Sequence, residues 1–213
     1  TLRSSSAASD VYKRQAVTFG VAEAPVFERA RFARTIADGV RLITGTELTV
    51  PPSPVSKGPP RPTQRDRVVG LYTGGTLATE ARELLETMIP AERLTVTDLG
   101  DDAFTVGRPH PMIDPEARQA PLSEALHDDA VAVVLIDVVL GYRAHTSPSA
   151  VVVDTLRAAP ADRPEVVAYV CGTESDPQGY ARQCDLLRKV GVIIGPSNAD
   201  AARIAGALCA GTS

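Results

Sequence analysis

Five short runs rich in Val, Ile and Leu, each followed by a stretch with helical spacing, limit what this chain can fold into. The runs occupy residues 68–73, 94–99, 131–138, 166–171 and 192–195. They are nearly continuous in apolar residues rather than alternating, as strands covered on both faces are. The helical stretches occupy residues 77–89, 115–127, 149–159, 177–190 and 199–210. Repeated β-α units give a parallel sheet with helices on both faces, because each right-handed crossover returns the chain to the same sheet. The expected fold is therefore α/β: a flavodoxin-like three-layer αβα domain with a five-stranded parallel sheet in the order 2-1-3-4-5.

The limits of that domain follow from the residues before it. Six prolines fall within residues 49–65 (Pro51, Pro52, Pro54, Pro59, Pro60 and Pro62). Proline has a fixed φ and no amide donor, so this segment reads as an extended linker, with the domain expected over residues 66–210. Residues 16–48 space small and apolar side chains by three and four (Val26, Ala30, Ala33, Ile36, Ala37, Val40), with Gly45 as a stop. They read as the helical remnant of a missing upstream domain. Residues 10–15 read DVYKRQ, like the translated end of a transposon adaptor used for sequencing libraries, so residues 1–15 are expected to be a cloning or sequencing scar.

Aromatic residues make up 4% of the chain and tryptophan is absent, so the core must be aliphatic. The net charge of −4 comes with no basic stripe, which argues against nucleic acid as a partner. The longest apolar run, residues 131–136, is far too short to span a bilayer, and no signal peptide is visible. Cys171, Cys184 and Cys209 are odd in number and widely spaced, fitting neither a disulfide framework nor a zinc site. Reduced thiols in a cytoplasmic protein, with no metal, are the expectation.

In folds of this class ligands gather at the carboxyl ends of the strands, and each of those ends carries unusual residues. The first leads into YTGGTLATEA, where Gly74 and Gly75 permit a close turn and Thr76 is placed to cap the next helix. Amides there, from Thr73 to Thr76, suit a phosphate or carboxylate, although a plain tight turn has the same spacing. The second leads into GDDAFTVGRPHPMID, where Arg108 and His110 stand in a frame of Pro109 and Pro111. Arg108 suits an anion clamp and His110 a proton shuttle in a stiffened loop. The third carries Asp137 near its end, then Gly141, Arg143 and His145, the last read as solvated before a helix start. The fourth carries Cys171, Gly172, Thr173, Asp176 and Gln178, with a helix entered at Pro177. Cys171 has no histidine beside it and reads as a buried thiol rather than a nucleophile. The fifth leads into Ser197 and Asn198, suited either to capping or to ligand contact.

Taken together, GRPHPMIDP with the preceding DLGDDAFTV, then GLYTGGTL, LIDVVLGY, CGTESDPQG and PSNA, resemble the FdrA family over residues 66–208. FdrA proteins are similar in design to succinyl-CoA synthetase α subunits, in which a CoA-binding domain precedes a flavodoxin-like ligase domain. The resemblance implies that YTGGTLATEA is the helix start that receives a phosphorylated histidine in the synthetases, and that Asp137 stands where they carry a glutamate. The stretch CGTESDPQGYARQ departs from that pattern. The synthetases carry their phosphohistidine there in a Gly-His-Ala-Gly loop, this chain has no histidine in the stretch, and His110 is not at the matching position. Phosphohistidine transfer is not expected.

The family resemblance further implies a subunit of a carbamoyl- or acyl-transferring enzyme, acting between oxalurate or oxamate and phosphate in allantoin breakdown. The ligand would be a small anion such as phosphate, carbamoyl phosphate, oxamate or an acyl phosphate, and the partners other enzyme subunits. On this reading His110 and Asp137 handle protons. Thr73, Gly74, Gly75, Thr76, Arg108, Gly141, Gly172, Thr173 and Asn198 contact the anion. The fragment itself holds no cofactor, CoA being possible only through the missing upstream domain. The alternatives are a succinyl-CoA-synthetase-like CoA ligase subunit, a non-catalytic scaffold subunit, and a flavin-binding flavodoxin, whose weakness is the lack of aromatic residues to sandwich the ring.

Overall fold

The computed structural model describes residues 33–45, 65–107 and 109–211. The chain divides into two units, residues 1–48 and 49–213. Residues 1–32, which include the expected scar and the first half of the expected remnant, and residues 46–64, which include all but the last residue of the expected linker at 49–65, lie outside the described residues.

In the first unit, helix α1 spans Ile36–Thr44. Thr35 caps it: its hydroxyl accepts from the Asp38 amide at 3.0 Å and donates to the Asp38 carboxylate at 2.7 Å. Gly45 ends it in the left-handed conformation, at φ 69°, donating its N–H to the Arg41 carbonyl.

The second unit begins with β1 (Arg67–Tyr72) and α2 (Gly75–Leu85), then β2 (Leu94–Asp98) and a single helical turn, α3 (Asp102–Thr105). A 3-10 turn, Pro115–Arg118, runs into α4 (Gln119–His127). β3 (Val131–Val139), α5 (Pro148–Ala158), β4 (Glu165–Cys171), α6 (Tyr180–Arg188), β5 (Ile193–Gly195) and α7 (Asn198–Ala210) follow. All pairings are parallel and the order is β2-β1-β3-β4-β5, the doubly wound arrangement expected from the sequence.

The middle strand shows why its sequence is an unbroken apolar run. Every residue of β3 except Val139 is buried, because α4 and α5 cover one face of the sheet and α7 the other. Val134, Ile136 and Val138 join the core beneath α4, α5 and α6, while Val133 and Leu135 join the core beneath α2 and α7. Side chains alternate across a strand, so Asp137 continues the series of Val133 and Leu135. It is a charge placed where the pattern calls for a third apolar residue.

Two expectations shift. The segment after β2 is not a bare loop, since Asp101 caps α3 by accepting from the Ala103 amide at 2.9 Å. Helix α6 does not begin at Pro177 but at Tyr180. The Thr173 amide donates to the Asp176 carboxylate at 2.6 Å, and Gly179 at φ 72° then redirects the chain, a conformation that other residues adopt only with strain. Among the described residues no helix is long and apolar enough to cross a membrane.

Candidate active site at the strand ends

The turn from β1 into α2 forms the centre of the candidate site. Gly74 is the N-cap of α2 and has no side chain to offer the first turn. The amides of Gly75, Thr76 and Leu77 have no acceptor among the described residues, and the first hydrogen bond of the helix runs from Ala78 N–H to the Gly74 carbonyl. Thr76, expected as the cap, is instead an exposed residue inside the first turn. A helix start with free amides carries a partial positive charge and presents donors to an anion.

Asp137 fixes that turn from beneath. It is fully buried, and both its carboxylate oxygens accept from Thr73, at 2.9 and 3.0 Å from the amide and at 3.0 Å from the hydroxyl. Its counter-charge is Arg118, itself buried at the end of the 3-10 turn before α4. The Arg118 guanidinium donates to the Asp137 carboxylate through Nη2 and to the Asp137 peptide carbonyl through Nη1. Burial pushes the Asp137 carboxyl above its usual range, against the pull of Arg118 and of the Thr73 hydrogen bonds. Closed off from solvent with both oxygens engaged, the Asp137 side chain holds the β1–α2 turn in place. Arg118 escaped the sequence reading altogether. The signal for it was Asp137 itself, because a carboxylate in an apolar strand requires a buried cation.

His110 stands at the edge of the same turn. Its Nδ1 accepts from the Met112 amide at 3.2 Å, which leaves Nε2 as the protonated nitrogen of the neutral ring. The ring packs on Gly100: a Cβ placed there would lie 2.5 Å from His110 Nε2 and 2.9 Å from the Thr73 carbonyl oxygen. Asp98 is close by, its Oδ1 accepting from the Gly100 amide at 2.8 Å and its Oδ2 only 2.9 Å from where a Cβ on Gly75 would be. His110 and Asp98 thus flank the start of α2. Arg108, the expected anion clamp, lies outside the described residues.

The remaining candidates are held by structural contacts. Gln178 is buried and clasps the loop after β3, accepting from the Gly141 amide at 3.1 Å and donating to the Gly141 carbonyl at 2.7 Å. Gly172 is needed for close approach, since a Cβ there would meet Leu140 Cβ at 2.6 Å. The Thr173 amide is taken by Asp176, so it is not a free donor. Burial pushes the Cys171 thiol up, Asp137 and Asp176 add to that, and only a hydrogen bond with Tyr169 opposes it, so the thiolate needed for attack is disfavoured. His145 is half-buried and accepts from the Ser147 amide at 3.1 Å.

Asn198 is likewise committed elsewhere. Its Oδ1 accepts from the Tyr72 hydroxyl at 3.0 Å, and its Nδ2 donates to the Leu77 carbonyl at 2.9 Å and to Glu80 at 2.8 Å. The side chain is buried and ties α7 to β1 and α2, in contrast to the ligand contact expected of it. Ser197, next to it, is the N-cap of α7. Among the described residues no group of three His, Cys, Asp or Glu side chains is placed to hold a metal.

Fold and site define a doubly wound α/β domain with a donor-rich helix start at the carboxyl end of its first strand. Residues 71–208 match the CoA-ligase family, and the chain belongs to it. It is 32% identical over 167 residues to the uncharacterized protein YahF of Escherichia coli strain K12, an alignment that covers 67% of this chain and 32% of YahF. The chain therefore spans about a third of the length of that relative. Among solved structures, ATP citrate lyase of Methanosaeta concilii in complex with (3S)-citryl-CoA is similar with a TM-score of 0.47 at 14% identity, over 68% of this chain and 24% of that one. The protein PH0766 of Pyrococcus horikoshii is similar with a TM-score of 0.44 at 14% identity, over 84% of this chain and 40% of that one.

Proposed function

We propose that this chain is part of an FdrA-like member of the CoA-ligase family, a subunit of an enzyme that transfers a carbamoyl or acyl group. The phosphate- or carboxylate-bearing substrate binds at the start of α2. The observation that carries this reading is the set of free amides at Gly75, Thr76 and Leu77, behind a glycine cap and on a turn locked by Thr73 and Asp137. A helix start of this kind attracts an anion through its partial charge and its unused donors together.

Asp98 places a carboxylate at one flank of that position, so an anion needs a cation to accompany it. Arg108 is assigned that part. His110, next to the turn and carrying its proton on Nε2, is assigned as the general acid toward a leaving oxygen or nitrogen. Membership of the CoA-ligase family supports CoA or an acyl group as a reactant, with CoA held outside residues 65–211. Oxamate and carbamoyl phosphate are the substrates that the FdrA resemblance favours.

Calorimetric titration of the chain with phosphate, carbamoyl phosphate, oxamate and CoA tests the reading. Saturable binding of a small anion that is lost in Arg108→Ala supports it, and a folded chain that binds none of these ligands refutes it. A second reading, a docking subunit without chemistry, is favoured by the exposed Phe104 in α3 and by Val106, Ile113 and Tyr142, exposed on the connections after β2 and β3. It requires that His110→Ala leave the activity of the assembled enzyme unchanged.

A further inference from the structure

Arg118 has one property that its pairing with Asp137 does not use. Nη1 and Nη2 are engaged, but Nε is buried and has no acceptor among the described residues. A buried N–H without a partner is costly, and more so on a charged group in apolar surroundings, so such a donor calls for an acceptor supplied from outside the fold. Arg118 lines a cavity of about 20 Å³ at the carboxyl ends of β1 and β3, together with Thr73 and the apolar Met112, Val138, Val139 and Val151. Met112, Val139 and Val151 of this lining are half-buried, whereas Thr73, Arg118 and Val138 are buried.

Size and charge specify what fits. About one water-sized sphere occupies ~10–15 Å³ on this measure, so the cavity accepts a single oxygen-sized group, the tip of a larger molecule. The Arg118 charge is already balanced by Asp137. A second anion here would stand close to the Asp137 carboxylate between apolar walls, where repulsion is weakly screened. An uncharged acceptor meets no such repulsion and still receives a charge-assisted hydrogen bond.

We infer that Arg118 Nε and its cavity form a subsite for the uncharged carbonyl oxygen of an amide- or acyl-bearing ligand, separate from the anion position at α2. Thr73 borders both places: it lines the cavity and its turn leads into the α2 amides. A ligand with an anionic group at one end and a neutral carbonyl at the other spans the two. The subsite stands on the cavity and on Arg118 alone, so it does not depend on an anion binding at α2.

Formamide and formate are nearly the same size and differ in charge, and together they probe the site directly. The full chain is titrated with each while the Arg118 Nε–H resonance is followed by NMR. The expected result is a saturable shift with formamide and an affinity at least tenfold weaker for formate. No shift with formamide, or formate binding as tightly, overturns the inference. Val151→Leu adds a methylene to the cavity wall and is expected to abolish the formamide response in a folded protein; a response that persists also overturns it. Should Val151→Leu fail to fold, the wild-type comparison decides alone. Formamide carries no charge, so a positive result here stands even where phosphate fails to bind at α2.

Discussion

Thr73 donates both its backbone N–H and its hydroxyl to the carboxylate of Asp137, at 2.9 to 3.0 Å, at the point where β1 turns into α2. One buried carboxylate therefore sets the direction in which the α2 amides face. Thr73→Val removes the hydroxyl and is expected to lower unfolding free energy by about 1–2 kcal/mol. Asp137→Ala leaves Arg118 buried without a counter-charge and is expected to cost about 3–5 kcal/mol. Adding Arg118→Met to Asp137→Ala should recover part of that loss. Denaturant unfolding of wild type, Asp137→Ala, Arg118→Met and the double variant checks the coupling, and additive losses would mean that the pair does not act as one unit.

The contact between His110 and Gly100 gives a way to move the imidazole without changing it. Gly100→Ala brings a Cβ to 2.5 Å from His110 Nε2 and 2.9 Å from the Thr73 carbonyl. The expected outcome is a loss of about 1–3 kcal/mol together with displaced His110 ring resonances in NMR spectra. Unshifted His110 resonances would show that the ring does not rest on Gly100.

Asn198 separates a structural role from a binding role. Its three hydrogen bonds hold Tyr72, Leu77 and Glu80, so Asn198→Ala is expected to cost about 1–3 kcal/mol of stability. Anion affinity measured by calorimetry should stay within twofold of wild type. A folded Asn198→Ala protein with sharply weaker affinity would return Asn198 to the site.

Alkaline pH should destabilise the domain. Burial pushes the Cys184 and Cys209 thiols and the Tyr72 hydroxyl above their ordinary values. Between the ordinary and the raised value the unfolded chain loses the proton while the folded chain keeps it. Each group's stabilising contribution is therefore complete below its ordinary value and is lost as pH rises through the folded one, at up to about 1.4 kcal/mol per pH unit. Tm measured across pH 8 to 11 is expected to fall from about pH 9 upward. A flat Tm over that range would contradict the burial of these groups.

The order of the sheet was legible because β-branched runs such as residues 131–138 admit one structure when buried on both faces. The start of α6 was not, because Pro177 looks like a first helical residue until Gly179 is seen to turn the chain at φ 72°. At the candidate site, the glycine pair of the β1–α2 turn and the lone carboxylate of Asp137 were visible in the sequence, and the fold brings them together through Thr73. The identity of the partner of Asp137 stayed hidden, since Arg118 sits in PEARQA, a polar stretch that looks solvated. Only the fold reveals that the 3-10 turn folds Arg118 inward under β3. The contacts of Asn198 were hidden for a related reason: an exposed-looking cap position at the start of α7 faces Tyr72 at the end of β1 and Glu80 in α2.

The account rests most heavily on anion binding at the start of α2, and Thr76 offers the most direct test. It is exposed at the second position of the helix, where a glutamate favours the helix by about 0.3–1 kcal/mol through the macrodipole. The measurement is calorimetric titration of carbamoyl phosphate into wild type and Thr76→Glu, with Tm recorded for both. The account predicts an unchanged or higher Tm with an affinity reduced at least tenfold, about 1.4 kcal/mol, because the new carboxylate occupies and repels the anion's place. A folded Thr76→Glu protein that binds carbamoyl phosphate as tightly as wild type would contradict it.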